Sequence, residues 1–266
     1  MGDALLSTES LSKRFGGLTA VRDVAIRLRR GQVHALLGPN GAGKSTLINL
    51  LSGDLAASDG RIVYRGMDIT GFSADRRSRE GIGRSYQKTN IFPAFTAFEN
   101  CRLAAQSRLP RAWRVLTDAQ AMRSHREVAE RALEAAGLSG SGARVAATLS
   151  HGEQRQLEVA MVLATRPDVL LLDEPLAGMG AEEAERMVLL LRRLAPDHAI
   201  LLVEHDMDAV FALADVVTVM VEGQVLESGP PAQIRASPAV LRAYLGEEAP
   251  AGTAGTAPAS PGGNPP

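Results

Sequence analysis

Gly38-Pro39-Asn40-Gly41-Ala42-Gly43-Lys44-Ser45-Thr46 decides the fold. It fits the pattern G-x-x-x-x-G-K-[ST], and its flanks supply the context that pattern needs. Gln32-Val33-His34-Ala35-Leu36-Leu37 reads as a short buried strand, and Thr46-Leu47-Ile48-Asn49-Leu50-Leu51 as the first turns of an amphipathic helix. Glycines at a strand-to-helix turn let the backbone wrap closely around phosphates, because no Cβ blocks the approach. Successive N–H groups then make an anion nest at a helix N-terminus. Lys44 supplies a mobile positive charge for the outer phosphates, and the Ser45 hydroxyl can ligand Mg²⁺.

Working outward, the next informative stretch is Val169-Leu170-Leu171-Leu172-Asp173-Glu174-Pro175. A continuous apolar strand of this kind belongs to a sheet buried on both faces. Two adjacent carboxylates at its end are costly unless they meet a cation. Asp173 is placed to hold the Mg²⁺ shell, and Glu174 to polarise an attacking water. A third buried strand, residues 199–203, is followed by Glu204-His205-Asp206. His205 there is either structural or a ligand-sensing group. Residues 81–87 read as a further strand ending in Gln87, which is either a Mg²⁺ ligand and phosphate sensor or a plain surface glutamine.

The rest of the chain frames these groups. Residues 4–8 and 24–28 read as strands, with Ser12-Lys13-Arg14-Phe15-Gly16-Gly17 as a polar turn between them. Phe15 is either a core residue or a base-stacking platform. Residues 61–64 read as a strand entered through an Asp59-Gly60 hairpin turn. The loop from Asn90 to Phe98 holds three of the six phenylalanines. It is a docking surface or a loop packed on the helices behind it. Residues 99–136 are helical in pattern, broken at Leu109-Pro110, and rich in arginine. That basic face is solvated or meets a partner. Helices are expected from just after Glu153 to about 165 and over residues 181–194, 207–214 and 238–245, and two strands, 216–221 and 224–228, around a Glu222-Gly223 turn. Residues 249–266 carry no large apolar side chain and read as a disordered tail.

Composition sets bounds. The chain has 266 residues, 45% of them apolar, enough for one α/β domain with a subdomain. Lys+Arg 29 against Asp+Glu 30 leaves a formal charge of −1, without the basic surplus that a sequence-independent grip on nucleic acid requires. The single cysteine, Cys101, excludes an internal disulfide. With no signal peptide in view, a reducing cytoplasmic setting is expected. No apolar run approaches the ~20 residues that span a bilayer. Work at a membrane would need a docking partner.

Leu149-Ser150-His151-Gly152-Glu153 discriminates among phosphate-binding chains. Ser150 and Gly152 precede a helix whose N-terminus makes a second anion site, yet the chain has one complete P-loop. The economical reading is that this turn completes a nucleotide site on another copy. At this point the sequence resembles the ATP-binding subunits of ABC transporters over essentially its whole ordered length. The resemblance implies Walker A at residues 38–46, a Q-loop at Gln87, the signature at residues 149–153, Walker B at residues 170–173 with Glu174 in the catalytic acid position, and His205 as the H-loop residue. It makes Phe15 the aromatic that stacks on adenine, and Glu153 part of the signature turn. The implied fold is α/β: a P-loop NTPase with a RecA-like core, an N-terminal antiparallel β layer and an inserted α-helical signature subdomain. Residues 1–246 would form the ATPase domain, with the helical insert at about 88–165 and the tail at 247–266.

Finer features narrow the resemblance. Arg14-Phe15-Gly16-Gly17-Leu18, Gly81-Ile82-Gly83-Arg84-Ser85-Tyr86-Gln87, Glu204-His205-Asp206-Met207 and Tyr244-Leu245-Gly246 are similar to the ATPases of branched-chain amino acid importers. Ser150-His151-Gly152 and Ala177-Gly178-Met179 are similar to relatives in urea and amide importers. Two departures stand out: His151 and Glu153 replace the usual Gly and Gln of the signature, and Gly180 stands where many such ATPases carry Asp. The resemblance implies ATP and Mg²⁺ as ligands, and a second ATPase subunit, identical or paralogous. It also implies transmembrane permease subunits, a periplasmic solute-binding protein, and a place on the cytoplasmic face of the cell membrane. Rivals are a lipid or lipopolysaccharide export ATPase and a soluble ABC protein acting on DNA or ribosomes. The latter usually carries two nucleotide domains or long coiled coils. A P-loop kinase would need neither the signature turn nor His205.

Overall fold

The computed structural model describes residues 4–86, 90–107 and 119–245. The chain opens with β1 (Leu6–Phe15), β2 (Leu18–Val24), β3 (Arg27–Leu28) and β4 (Gln32–Leu37), then α1 (Lys44–Ser52), β5 (Asp59–Tyr64), β6 (Met67–Asp68), α2 (Ala74–Glu80) and β7 (Ile82–Arg84). Three helices follow: α3 (Ala97–Gln106), α4 (Ala119–Ala135) and α5 (His151–Ala164). The remainder alternates: β8 (Val169–Asp173), α6 (Ala181–Leu194), β9 (Ala199–Val203), α7 (Met207–Leu213), β10 (Val216–Val221), β11 (Gln224–Gly229), α8 (Pro231–Ala236) and α9 (Pro238–Leu245).

Two sheets result. One is six-stranded in the order β11-β10-β4-β9-β8-β7, parallel except for the β10–β11 hairpin. Every residue of β8 and β9 is buried, which is why both read as unbroken apolar runs. The register sets Leu36 and Asp173 opposite Val203, and Leu37 opposite Val219. The C-terminal ends of β4, β8 and β9 therefore open on one edge, where an α/β sheet gathers its ligands. The second sheet is antiparallel, β2-β1-β5-β6 with β3 beside β1. Leu6, Leu11, Val21, Val24 and Ile62 from it pack with Leu47, Leu50 and Leu51 of α1 in one core. Helices α3, α4 and α5 have a core of their own, built on Ala97, Cys101, Ala129, Leu133, Leu157 and Ala160. Burial pushes the Cys101 thiol up to about 12, so it is a packing residue.

Several local expectations change. The stretch from Ser12 to Phe15 is strand, not turn: β1 runs to Phe15, and Gly16-Gly17 alone reverse the chain. Asp59 and Gly60 also lie inside a strand, and Gly60 takes a positive φ of 83° where β1 and β5 slip register. Bulges of this kind carry turn-like residues within a ladder. The strand read over 24–28 divides into the end of β2 and the two-residue β3. The strand before Gln87 ends at Arg84. Helices α2 and α8 had no apolar stripe to announce them. The Leu109-Pro110 break and the tail at 247–266 lie outside the described residues.

Arg77 explains how α2 matters. It is fully buried and donates to the carbonyls of Leu50 (2.6 Å), Leu51 (2.9 Å), Thr70 (2.8 Å) and Phe72 (3.1 Å). One guanidinium thus satisfies the last carbonyls of α1, which would otherwise be buried orphans. The P-loop helix is pinned from its far end.

His34, in the middle of β4, carries a stability prediction. It is 3% exposed, with Nε2 2.7 Å from the Thr218 hydroxyl and Nδ1 3.3 Å from the Arg27 carbonyl. Burial lowers it from the usual 6.5 to about 4, the Arg27 carbonyl opposing weakly. Between those values the unfolded chain binds the extra proton, so stability is complete above 6.5 and is lost as pH falls toward about 4. From about pH 7.5 to 5 the expected loss is about 2 kcal/mol. Urea unfolding against pH checks this, and His34→Gln should lack that share of the slope.

Candidate functional site

The P-loop is held by close backbone contact on two sides. Gly38 (φ 149°) lies so near β10 that a Cβ would sit 2.2 Å from the Met220 carbonyl. Gly43 (φ 97°) lies against β2, where a Cβ would meet the Ala20 carbonyl at 2.4 Å. Side chains are excluded at both points by space as well as by φ. The tip of the β10–β11 hairpin completes the clasp. Gly223 donates to the Ala42 carbonyl (3.1 Å), and its own carbonyl accepts from the Arg22 N–H (2.8 Å). The Lys44 ammonium folds over the loop onto the Gly38 and Pro39 carbonyls. Ser45 and Thr46 stand in the first turn of α1. Pro39, Asn40, Gly41 and Ala42 span the bend between. The β1–β2 hairpin that lays Ala20 against Gly43 also carries Phe15 near its tip, 49% exposed, with the Lys13 ammonium 5.1 Å from its ring centroid. Phe15 is not a core residue.

Asp173 and Glu174 share a strand end but differ in setting. Asp173 is 5% exposed, its backbone N–H lies 3.4 Å from the Ser85 hydroxyl, and Arg84 approaches its carboxylate at 3.5 Å. Burial raises its affinity for a proton, and Arg84 works against that. A desolvated carboxylate with so distant a partner suits a bound cation. Glu174 takes φ 49°, rare outside glycine, while its N–H continues the ladder to the Val203 carbonyl at 2.9 Å. That backbone turn carries the chain out of β8 immediately after Asp173. Among the described residues no cluster of three or more His, Cys, Asp or Glu side chains forms a closed metal site. Mg²⁺ bound through a hydroxyl, one carboxylate, waters and phosphate oxygens needs none.

Glu204 is a residue that the sequence reading passed over. Its carboxylate is fully buried and accepts from the Leu176 N–H (2.8 Å) and the His205 N–H (3.2 Å). It ties the segment after β8 to the segment after β9. Burial raises its proton affinity, these two N–H groups opposing. His205 itself is 68% exposed, with Nδ1 3.8 Å from Glu204. The Glu-His pair after an apolar strand was visible; that the acid turns inward and the imidazole outward was not. Gln87 lies outside the described residues.

The turn from Ser150 to Glu153 is a capping box: the Ser150 hydroxyl accepts from the Glu153 N–H, and the Glu153 carboxylate accepts from the Ser150 N–H. Glu153 also pairs with Arg144 at 2.5 Å. The Ser150 hydroxyl and the Gly152 N–H turn outward onto Glu183 of α6 (3.1 and 3.2 Å). His151 reaches the Ala177 carbonyl at 3.2 Å, beside the left-handed Gly178. Gly152 is buried against Glu183, and a Cβ there would have to push the Glu183 carboxylate aside.

Against known proteins, the family described as ABC transporter matches residues 21–177. The chain belongs to the ABC transporter family. A second family, described as branched-chain amino acid ATP-binding cassette transporter, matches residues 224–250. The high-affinity branched-chain amino acid transport ATP-binding protein BraF of Pseudomonas aeruginosa is 38% identical over 93% of this cassette and all of its own length. The LivG protein of Escherichia coli, described in the same terms, is also 38% identical over 93% of the chain. Among solved structures, a nucleotide-free ATP-binding cassette from an ABC transporter aligns with a TM-score of 0.77 and 29% identity, covering 91% of this chain and 98% of that one. The cassette fold expected from the sequence, an ATPase with a P-loop core, an antiparallel β layer and helical inserts, is the fold observed. No helix among the described residues is long and apolar enough to cross a membrane.

Proposed function

We propose that this cassette is the ATP-hydrolysing subunit of an importer for branched-chain or closely related amino acids. The observation that carries the catalytic half is the convergence of the P-loop, Asp173-Glu174 and His205 on one edge of a single parallel sheet, fixed by register. The Gly38 to Thr46 backbone cradles phosphates, Lys44 turns its ammonium from the loop carbonyls to the outer phosphates, and Phe15 offers its exposed face to adenine. Ser45 and Asp173 would hold Mg²⁺, with Gln87 a third candidate ligand; the ion would neutralise phosphate charge. Glu174 accepts the proton of an attacking water, and His205 donates to the terminal phosphate. Ser150, Gly152 and Glu153 face the nucleotide of a second ATPase subunit, this chain again or a paralogue. Residues 88–165 act as the helical subdomain. No nucleic acid enters this scheme.

Coupling to permease subunits is assigned to the aromatic loop. Phe92 and Phe95 are 46% and 44% exposed, and their rings stack at 5.5 Å. Asn100 fixes the loop beneath them, accepting from the Phe92 N–H (2.8 Å) and donating to the Phe92 (3.1 Å) and Thr96 (2.9 Å) carbonyls. A rigid, exposed apolar pair is a docking feature. Docking would place the cassette at the cytoplasmic face of the membrane. The substrate class follows the names of the relatives and the match over residues 224–250.

The test is reconstitution with the permease subunits of a branched-chain amino acid importer. Leucine presented by the periplasmic solute-binding protein should stimulate ATP hydrolysis several-fold, and urea should not. Stimulation by urea alone, or by neither solute, would overturn the substrate assignment.

A further inference from the structure

Glu183 stands out because of what it touches. One carboxylate oxygen, Oε1, accepts both the Ser150 hydroxyl (3.1 Å) and the Gly152 N–H (3.2 Å). Both belong to the turn that the proposed function sets against the nucleotide of a second subunit. An anionic oxygen receiving a hydroxyl and a helix-terminal N–H has the donor environment of a phosphate oxygen. We propose that Glu183 occupies, in the single subunit, the place of the incoming terminal phosphate, and that nucleotide must displace it before two cassettes close. The inference rests on the sandwich reading given under the proposed function.

The surroundings agree. A Cβ on Gly152 would lie 2.6 Å from the Glu183 carboxylate carbon, so the carboxylate sits directly against the turn. Burial disfavours the charged form of Glu183, but the hydroxyl of Ser150 and the N–H groups of Gly152 and Gly180 outweigh it and hold the carboxyl below its usual range. Glu183 is therefore a full anion at neutral pH. The cleft of about 360 Å³ beside it is lined by Ser150, Gly152, Gln156 and Arg186, so a larger anion has room to enter. Gly180 adds the reason that Glu183 is placed here. It is the N-cap of α6 and offers no side-chain cap, so Glu183, three residues on, takes that duty as well. An Asp at 180 could cap the helix unaided.

Displacement carries a sign that a capping role does not. Two anions cannot share one pair of donors, so removing the carboxylate charge eases closure even as it weakens the helix cap. The experiment uses the full chain carrying Glu174→Gln, so that turnover does not dissolve the complex. ATP with Mg²⁺ is titrated and the dimer fraction is read by sedimentation. Adding Glu183→Gln should lower the ATP concentration at half-maximal dimer roughly tenfold. Glu183→Ala should shift it in the same direction despite a lower melting temperature. A midpoint that is unchanged or raised in both variants overturns the assignment of Glu183 alone, since a purely capping residue can only weaken the dimer. A parent Glu174→Gln protein that never dimerises with ATP overturns the sandwich reading, and this inference with it.

Discussion

Glu174→Gln lowers ATP hydrolysis by roughly 10²–10⁴-fold and leaves ATP binding intact. The substitution keeps the shape of the side chain and removes only its capacity to take a proton. Backbone constraint makes the comparison clean. Glu174 sits at φ 49° with its N–H committed to the Val203 carbonyl, and Asp173 ahead of it is buried in β8. Glutamine tolerates the same conformation as glutamate, so the turn out of β8 should persist. Lys44, the P-loop nest and Phe15 all lie on other elements, so ATP affinity should be unchanged. Binding without turnover lets a closed dimer accumulate, visible by gel filtration with ATP and absent with ADP. Stopped-flow product release checks the rate. Turnover at the parental level would remove Glu174 from its assigned role.

His205 responds differently for a structural reason. Its ring is exposed while Glu204, one residue earlier, is buried and holds two N–H groups. Activity lost at 205 reports the imidazole, whereas loss at 204 reports the collapse of the junction between β8 and β9. Separating these neighbours needs the structure. In sequence, Glu204-His205-Asp206 offers three polar residues after an apolar strand and no hint of which one turns inward.

That limit recurs in the parts of the molecule that were hard to read. The central strands were legible because a parallel sheet buried on both faces leaves no alternation; β4 and β9 end where the apolar runs end, and β8 ends one residue later at Asp173. The P-loop was legible because its glycines answer to a steric need: Met220 and Ala20 leave no space at Gly38 and Gly43. The β1–β2 hairpin was misread because its outer face is solvated. Ser12, Lys13 and Arg14 look like a turn, yet they pair across to β2 and β5. Helix α2 was missed because Arg77, the residue that docks it, is charged. Only the carbonyls at the end of α1 make a buried guanidinium sensible there. Glu183 has the same character. As the third residue of an exposed amphipathic helix it carries no signal, and its meaning comes from a turn 31 residues away.

Glu158→Ala destabilises the cassette by about 3–5 kcal/mol. Glu158 and Arg155 lie on α5 with side chains 5% and 8% exposed, and their charged ends meet at 2.9 Å. Each also reaches beyond the helix. Glu158 accepts the Asn90 N–H at 2.6 Å, and Arg155 donates to the Tyr86 carbonyl at 3.3 Å. Burial raises the proton affinity of Glu158, and its contacts with Asn90 and Arg155 counter that cost. Alanine removes the carboxylate that accepts from Asn90 and meets Arg155, so a desolvated ion pair is broken by loss of one member, which costs more than replacing both. Glu158→Gln keeps an acceptor for Asn90 and should lose less. Replacing both partners, Arg155→Met with Glu158→Leu, should recover most of the stability, because a buried ion pair gains little over apolar packing. Urea unfolding of the four proteins tests that order. Recovery of stability should not restore coupling. In the double variant Tyr86 and Asn90 have lost their ties to α5, and Asn90 leads directly into the loop that carries Phe92 and Phe95. ATP hydrolysis by the double variant should persist while its stimulation by permease and solute falls. Equal stimulation of the double variant and the parent would show that the pair serves packing alone.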